Sequence, residues 1–505
     1  MGSSVEVLLT DLRYLIGDLG KDGGLIGPSI YDTAQVIRFA PPAQGVEPAL
    51  DWLLAQQQPD GGWGDPSVPL ARDIPTLAAL LALHMYTTSK AAHDAILSGL
   101  LFLQRQSAQW QMPLPDDIPL AAEFVLPALV KQAQQQGFAL DAAPYARLRT
   151  LGDKRRQMIA QLQLHPGTAP MHSWEAWGQR PDVRLLDGAD SIGHSPAATA
   201  AWLYATRGRT ELDDARARTQ CYLDRAMLST GVDIPGVQPT VWPYERNEQS
   251  VSMFAVMLAG LLDHPALHEV VRAQLDDMWR GLRPEGQGIS DHFTTDGDIT
   301  AMDFAILATA GYRPDPAVLR RYIVGDSCLT YPNEMQRSLS ATTHAAHALA
   351  ILDDDPTPLL KYLYTRRTDD GRLLGDKWHA SWLYLTGHAL HALIEAGQIP
   401  EALSILQALI DHQHDDGSWS VTAAVGEETA YAVLGLLAFQ RRGSLPDHGW
   451  QALRRAERWL LHNYRPLTEE YGACWAAKEM YRPRRIARTI EVSATLACVL
   501  AQDEL

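Results

Sequence analysis

Trp52-Leu53-Leu54-Ala55-Gln56-Gln57-Gln58-Pro59-Asp60-Gly61-Gly62-Trp63 and Leu409-Ile410-Asp411-His412-Gln413-His414-Asp415-Asp416-Gly417-Ser418-Trp419 are two copies of one device. In each, a helix ends, Asp and Gly make a turn, and a Trp two residues past the Gly folds back onto the helix end. The Gln four residues before the Gly can tie the backbone of the turn, and the Trp supplies a large apolar face with one N–H to satisfy. A worn copy, Tyr362-Leu363-x3-Arg367-x3-Gly371, lies between them. Repeats of this kind belong to stacked helical hairpins, which bury a continuous core only by association with their neighbours.

The rest of the chain agrees with a helical reading. Ile74–Met85, Ala197–Tyr204, Val251–Leu262, Ala341–Leu352 and Thr429–Phe439 are rich in Ala and Leu, with apolar positions broad enough to face a core on more than one side. Alternating β-branched runs are scarce. Prolines separate the helical blocks at Pro113 and Pro115, and again at Pro235, Pro239 and Pro243. The expected fold is all-α.

The 505 residues are enough for two to four domains, and 46% hydrophobic with 20% charged residues is ordinary for a globular protein. A formal net charge of −17 argues against a general nucleic-acid binder. No apolar run reaches the roughly 18 residues of a membrane span. The first 20 residues lack a basic lead into an apolar core, so no secretory leader is read there. The four cysteines (Cys221, Cys328, Cys474, Cys498) are scattered, with no CxxC, and suggest neither zinc nor a disulfide framework. A cytoplasmic enzyme is the expected class.

Several segments, in order along most of the chain, resemble the bacterial class II diterpene cyclases, relatives of the squalene–hopene cyclases that share the Gln-x3-Gly-x-Trp repeat. Ser29-Ile30-Tyr31-Asp32-Thr33-Ala34-Gln35-Val36 is similar to SAYDTAWV, with Gln35 where Trp is usual. Ala122-Glu123-Phe124-x2-Pro127-x-Leu129 resembles GFExxFPxL. His172-Ser173-Trp174-Glu175 resembles HSLE, and Gly193-His194-Ser195-Pro196-Ala197-Ala198-Thr199-Ala200 resembles GNSPSATA. Asp296-Gly297-Asp298-Ile299-Thr300-Ala301-Met302 is similar to the acid motif DxDDTAM. Asp376-Lys377-Trp378-His379 matches DKWH, Glu427-Glu428-Thr429-Ala430-Tyr431 matches EETAY, and Trp475-x2-Lys478-x2-Tyr481 resembles WxxKxLY. Two departures flank the acid. Ile299 replaces the last acidic or hydroxyl residue of the motif, and Thr342 stands where many members have Asn.

The resemblance implies an enzyme that protonates a terminal alkene and leaves the diphosphate of its substrate attached. An alkene is a very poor base, so the donor must be a neutral acid in a dry pocket. A free Asp has a pKa of about 3.9; keeping one neutral at pH 7 means raising it by roughly three, or about 4 kcal/mol. Burial and a second carboxylate both push that way. Asp298 matches the middle acid of the motif and is the expected donor, with Asp296 orienting its proton. Thr300 and His344 are expected supporting groups. Taken locally, the same residues are an acidic turn capping a helix at Ala301–Ala310.

The resemblance further implies two α/α-barrel domains, one inserted in the other: residues 43–269 inserted, with 1–42 and 270–505 forming the domain that carries the acid. The substrate would be geranylgeranyl diphosphate, cyclised to a bicyclic diterpenyl diphosphate in a cavity between the domains. Trp378, Trp382, Tyr384 and Trp475 are the expected lining, where aromatic faces stabilise a migrating cation. Lys478 first and Lys377 second are expected on the diphosphate, helped by Arg482, Arg484, Arg485 and Arg488. Mg²⁺ is expected as an aid, with no ligands assigned. A downstream class I terpene synthase or a phosphatase would take the product. No acid pair here is followed by an acid at the DDxxD spacing, so no class I metal site is expected. Farnesyl diphosphate giving a drimane is the neighbouring reading. A glycoside hydrolase on an α/α barrel and a non-catalytic helical scaffold are the rivals from other classes.

Overall fold

The computed structural model describes residues 2–469 and 472–503. The first helix, α1 (Gly2–Asp18), is followed by ten-residue α2 (Ile30–Phe39) and then by α3 (Glu47–Ala55), α4 (Asp73–Tyr86), α5 (Lys90–Gln106), α6 (Ala122–Gln135), α7 (Ala146–Ile159), the single turn α8 (Trp174–Trp177), α9 (Pro196–Ala205) and α10 (Asp213–Ser229). The second half holds α11 (Glu245–Leu258), α12 (His268–Gly281), α13 (Gly297–Thr309), α14 (Pro316–Arg320), α15 (Leu339–Ile351), α16 (Thr357–Thr365), α17 (Trp382–Glu395), α18 (Ile399–Asp411), α19 (Val425–Gln440), α20 (Asp447–His462) and α21 (Arg484–Asp503). The described strands are two-residue antiparallel pairs in the connections.

Helices α11, α13, α15, α17, α19 and α21 pack in a closed ring, each on the next and α21 back on α11. They are buried nearly all round, as their Ala- and Leu-rich sequences require. α12, α14, α16, α18 and α20 flank the ring on the outside, and α1 completes the outer layer by packing on α21 and α12. α2, α4, α6, α8 and α9 form a second, smaller ring, with α3, α5, α7 and α10 outside it. The molecule is therefore two α/α barrels. Inner helices open on short polar caps. Ser29, Ser195, Asp296, Ser338 and Ser381 each accept a backbone N–H in the first turn of α2, α9, α13, α15 and α17. α11 starts earlier and stops earlier than its Ala/Leu block suggested, because Gly260 turns left-handed at φ 73° just past its end.

The core packing moves the expected boundaries. The core of the larger barrel joins Leu8 to Ile26 with Val241 and Tyr244 onward, whereas residues from Tyr31 to Val237, and Trp242, fill the cores of the smaller one. The chain thus crosses between barrels near 27–30 and 238–243, not at 42/43 and 269/270. The Pro41-Pro42 pair ends α2 inside the smaller barrel, and α11 is an inner stave of the larger one.

The turn repeat has the same bonds in both copies. Trp63 Nε1 donates to Leu53 O and Trp419 Nε1 to Leu409 O, each at 2.7 Å. Gln57 Nε2 donates to Gly61 O and Ala95 O, and Gln413 Nε2 to Gly417 O and Ala452 O, at 2.8–2.9 Å. Gly61 and Gly417 sit at φ 92° and 97°, where a Cβ would also strike the Ser98 and Arg455 carbonyls. In the worn copy Leu373 takes the Trp place, and Arg367 reaches the Ser404 hydroxyl instead of tying its turn.

Candidate active site

A cavity lies between the barrels at the N-terminal ends of the inner helices of the larger one. Leu120, Ala169 and His172 come from the smaller barrel; the other walls come from the larger. The space between them, counted out to the mouth, is about 880 Å³. Val241, Ile289, Ile299, Ala476 and Ala477 make much of the surface apolar. Tyr244, Phe293, Tyr331, Trp378, Trp475 and Tyr481 supply aromatic faces.

Asp296 and Asp298 both line this cavity, at the cap and first turn of α13. Asp296 Oδ1 accepts the Ile299 N–H at 2.7 Å, while Oδ2 is buried with no partner. Burial first, and then the charge of Asp298, hold the Asp296 carboxyl well above the ordinary range, against the pull of that N–H. The capping role and the chemical role therefore fall on the same residue. Asp298 Oδ1 lies 2.6 Å from His344 Nδ1. Thr300 sits beneath: its hydroxyl donates to Asp296 O at 2.5 Å and accepts from Gln287 N at 2.9 Å, so it shapes the backbone of the motif and does not touch either carboxyl. Ile299 is a buried apolar wall residue. Thr342 is turned away, donating to Ser338 O and receiving Cys328 N.

Of the expected lining residues, Trp378 and Trp475 face the cavity. Their indoles are held by Thr330 Oγ1 at 2.9 Å and by Glu427 Oε1 at 2.6 Å, which explains the EETAY-like segment. Trp382 does not line it; its ring packs on His412 and Arg372 at the outside of α17. Tyr384 stands behind the wall, stacked on His379 at 4.3 Å and edge-on to His344. Tyr244, Phe293 and Tyr331, from non-repetitive connections, were not singled out by sequence. His172 also lines the cavity. Its Nδ1 is bonded to Gly193 O at 2.9 Å, which makes Nδ1 the protonated nitrogen and leaves on Nε2 a lone pair with no partner among the described residues. Burial pushes its pKa well down, so the ring is neutral.

The expected diphosphate lysines are placed otherwise. Lys478 has no exposed surface; its Nζ donates to Glu175 Oε1 at 2.8 Å and Ser195 Oγ at 2.7 Å, with Asp32 Oδ1 at 4.0 Å. Four of the motif segments thus converge on one buried tie between the barrels. Lys377 is buried too, paired with Glu334 and donating to Gln336 O. Arg482 and Arg488 pair with Glu491, Arg485 with Glu248, and Arg484 donates to Thr230 O. These cations hold the molecule together; none is spare at the cavity mouth as placed.

A second tie has the bonding of a Ser-His-Asp triad. Asp187 Oδ2 lies 2.9 Å from His194 Nδ1, and His194 Nε2 lies 2.6 Å from Ser290 Oγ. Ser290 has no exposed surface and does not line the cavity, so it cannot meet a substrate. It fastens the loop before the acid motif to the smaller barrel.

Among the described residues, one group of three donors could hold a metal: His379, Glu427 and Cys474, with donor atoms within 4.8 Å of one another. Mg²⁺ takes oxygen ligands. His379 Nδ1 also accepts the Ser381 N–H at 3.1 Å, so Nε2 carries the ring proton and has no lone pair to give. This group does not fit Mg²⁺.

No family model matches the chain. Curated relatives do. It is 41% identical to the (+)-kolavenyl diphosphate synthase of Herpetosiphon aurantiacus over the full length of both chains. It is 29% identical to the ent-copalyl diphosphate synthase of a Streptomyces species, covering 95% of this chain and 94% of that one. Among solved structures, ent-copalyl diphosphate synthase from Streptomyces platensis superposes with a TM-score of 0.79 at 26% identity, covering 97% of this chain and 99% of that one. The chain belongs to the class II diterpene cyclases, the enzymes that start cyclisation by protonation. Its relatives within that family include kolavenyl and copalyl diphosphate synthases.

Proposed function

We propose that this enzyme protonates the terminal alkene of geranylgeranyl diphosphate and closes it to a bicyclic diterpenyl diphosphate. The observation that carries the reading is Asp298, bonded to a buried imidazole and presented to an apolar, aromatic-walled cavity beside a second carboxyl whose pKa burial raises. Asp298 gives its proton to the alkene, and His344 N–H steadies the carboxylate left behind. Asp296 stands beside it at the cap of the same helix, so the two carboxyls share one site and do not both carry a negative charge. The polyene cation then migrates among the aromatic faces, with water excluded by the walls. His172 Nε2 is the acceptor suited to removing the final proton. The diphosphate is retained, so the product passes to an enzyme that ionises or hydrolyses it.

Both carboxyls stand within one helical turn on the same wall. A glycoside hydrolase needs them on opposite sides of a sugar groove, so that rival is set aside. Mg²⁺ would arrive with the diphosphate; the described residues offer no oxygen cage for it, and no step is assigned to it. No described helix is long and apolar enough to cross a membrane, and the cytoplasm is the proposed compartment.

Incubation of the purified protein with geranylgeranyl diphosphate and Mg²⁺, followed by dephosphorylation and gas chromatography–mass spectrometry, tests the reading. A bicyclic alcohol from wild type and none from Asp298→Asn is expected. Turnover surviving in Asp298→Asn would mean that the donor is another group. Turnover of farnesyl but not geranylgeranyl diphosphate would replace the substrate.

A further inference from the structure

Asp298 is bonded to two imidazoles in series. Its Oδ1 lies 2.6 Å from His344 Nδ1, and His344 Nε2 lies 2.8 Å from His388 Nδ1. The three residues come from successive inner helices, α13, α15 and α17, and both rings are buried. Burial first, and then the neighbouring imidazole of His344, hold the His388 pKa well down, so that ring is neutral.

A neutral imidazole has one N–H, and each contact needs one donor and one acceptor. When the acid proton is on Asp298 and both rings carry one N–H each, two arrangements satisfy both contacts. In the first, His388 Nδ1–H donates to His344 Nε2, and His344 Nδ1–H donates to Asp298 Oδ1. An acid proton on Asp298 then sits on Oδ2, the oxygen with no hydrogen bond to a described residue, in the cavity wall. In the second, every proton moves over by one place. Asp298 Oδ1–H donates to His344, His344 Nε2–H donates to His388, and His388 carries its own proton on Nε2. The acid proton is then spent on the ring and turned from the alkene.

The far nitrogen of His388 decides between them. Its Nε2 makes no hydrogen bond among the described residues, and aromatic rings pack on the imidazole: Tyr384 at 4.3 Å, Phe254 at 5.4 Å and Tyr431 at 6.0 Å between centroids. The first arrangement leaves a lone pair there. The second places there an N–H with no partner among the described residues, in a ring only 4% exposed, and is the costlier of the two. We propose that His388 is a positioning residue for the acid: it holds His344 in the tautomer that donates to Asp298 Oδ1 and so keeps the acid proton on the side of the alkene. This rests on Asp298 being the donor.

His388→Leu removes the donor to His344 Nε2. His388→Asn keeps one, because its Nδ2 stands near the place of the lost Nδ1. With geranylgeranyl diphosphate, kcat is expected to fall roughly 10- to 100-fold in His388→Leu, with KM and product unchanged, and to return to within about fivefold of wild type in His388→Asn. A His388→Leu enzyme with wild-type kcat, or a His388→Asn enzyme as slow as it, would overturn the assignment. ¹⁵N NMR of histidine-labelled wild type needs no His388 variant: His344 is expected to carry its proton on Nδ1, and a proton on Nε2 alone would overturn it equally. Turnover surviving in Asp298→Asn would instead bring down the donor assignment beneath it.

Discussion

Lys478→Met separates a structural lysine from a substrate-binding one. The ammonium has no exposed surface and is held by Glu175, Ser195 and Asp32. Methionine keeps the stem but leaves two buried carboxylates facing each other without a cation. Removing one partner of a buried charge cluster costs about 3–5 kcal/mol. The unfolding entropy of about 2.1 cal/mol/K per residue, taken over 505 residues, turns ~4 kcal/mol into a fall in Tm of roughly 4 °C if the chain unfolds as one unit, and into about twice that if the smaller barrel unfolds alone. The cost also depends on pH. Burial already lifts Asp32 to about 6 despite the attraction of Lys478, the largest effect opposing it. Without Lys478, Asp32 rises further and enters the fold protonated. A carboxyl whose pKa is higher folded than unfolded loses stability as pH rises, so the deficit is largest at pH 8 and shrinks towards pH 5.5. Calorimetry and urea titration at both pH values, beside the KM for geranylgeranyl diphosphate, make the measurement. A Tm within about 1 °C of wild type together with a tenfold higher KM would refute the structural role and put Lys478 on the diphosphate.

Two further substitutions probe the fold. Glu479 is buried and lifted to about 8, chiefly by burial, so the wild type loses stability as pH rises from about 4.5 to 8; Glu479→Gln should flatten that decline by up to a few kcal/mol, and parallel urea-midpoint curves for the two proteins would exclude it. Gly417→Ala puts a Cβ 2.6 Å from the Arg455 carbonyl at φ 97° and should cost ~2–4 kcal/mol, whereas Gly443→Ala, at φ 64° with nothing within 4 Å, should cost about 1; equal losses in thermal melts would contradict the steric account.

What could be read from the sequence was local. The turn repeat spans eleven or twelve residues, and its Gln, Gly and Trp contact one another or the next helix, so spacing carried it. The acid pair sits in one turn, and its partner His344 lay in a recognisable segment. What could not be read depends on encounters across the chain. Lys478 meets Glu175 and Asp32 from the other barrel, 303 residues away in the first case, so its neutralisation left no trace in its own neighbourhood. Tyr244, Phe293 and Tyr331 project from connections without a period, and only the closing of the ring brings them together. Trp382 shows the converse: it is two residues from Tyr384, which backs the cavity wall, yet lies on the outside of the same helix, because two α-helical steps turn a side chain by about 200°. His388 was hidden in an Ala- and Leu-rich helix where a histidine reads as core.

α1 belongs to the larger barrel but is separated from the rest of it by the whole smaller one. Its apolar face, with Leu8, Leu12, Leu15 and Ile16, is covered by helices that begin only at His268 and Arg484. At roughly 5–20 residues per second, a ribosome needs on the order of half a minute or more to make the second of these. During that interval the smaller barrel has all its staves and can fold, while α1 waits beside it with its greasy side uncovered. Completion of the larger ring is then a late, non-local event, slow for the reason that all distant contacts are slow. Loss of α21 would remove a stave from the inner ring and the berth of α1 from the outer one, so a short truncation at that end reaches back to the first helix of the chain.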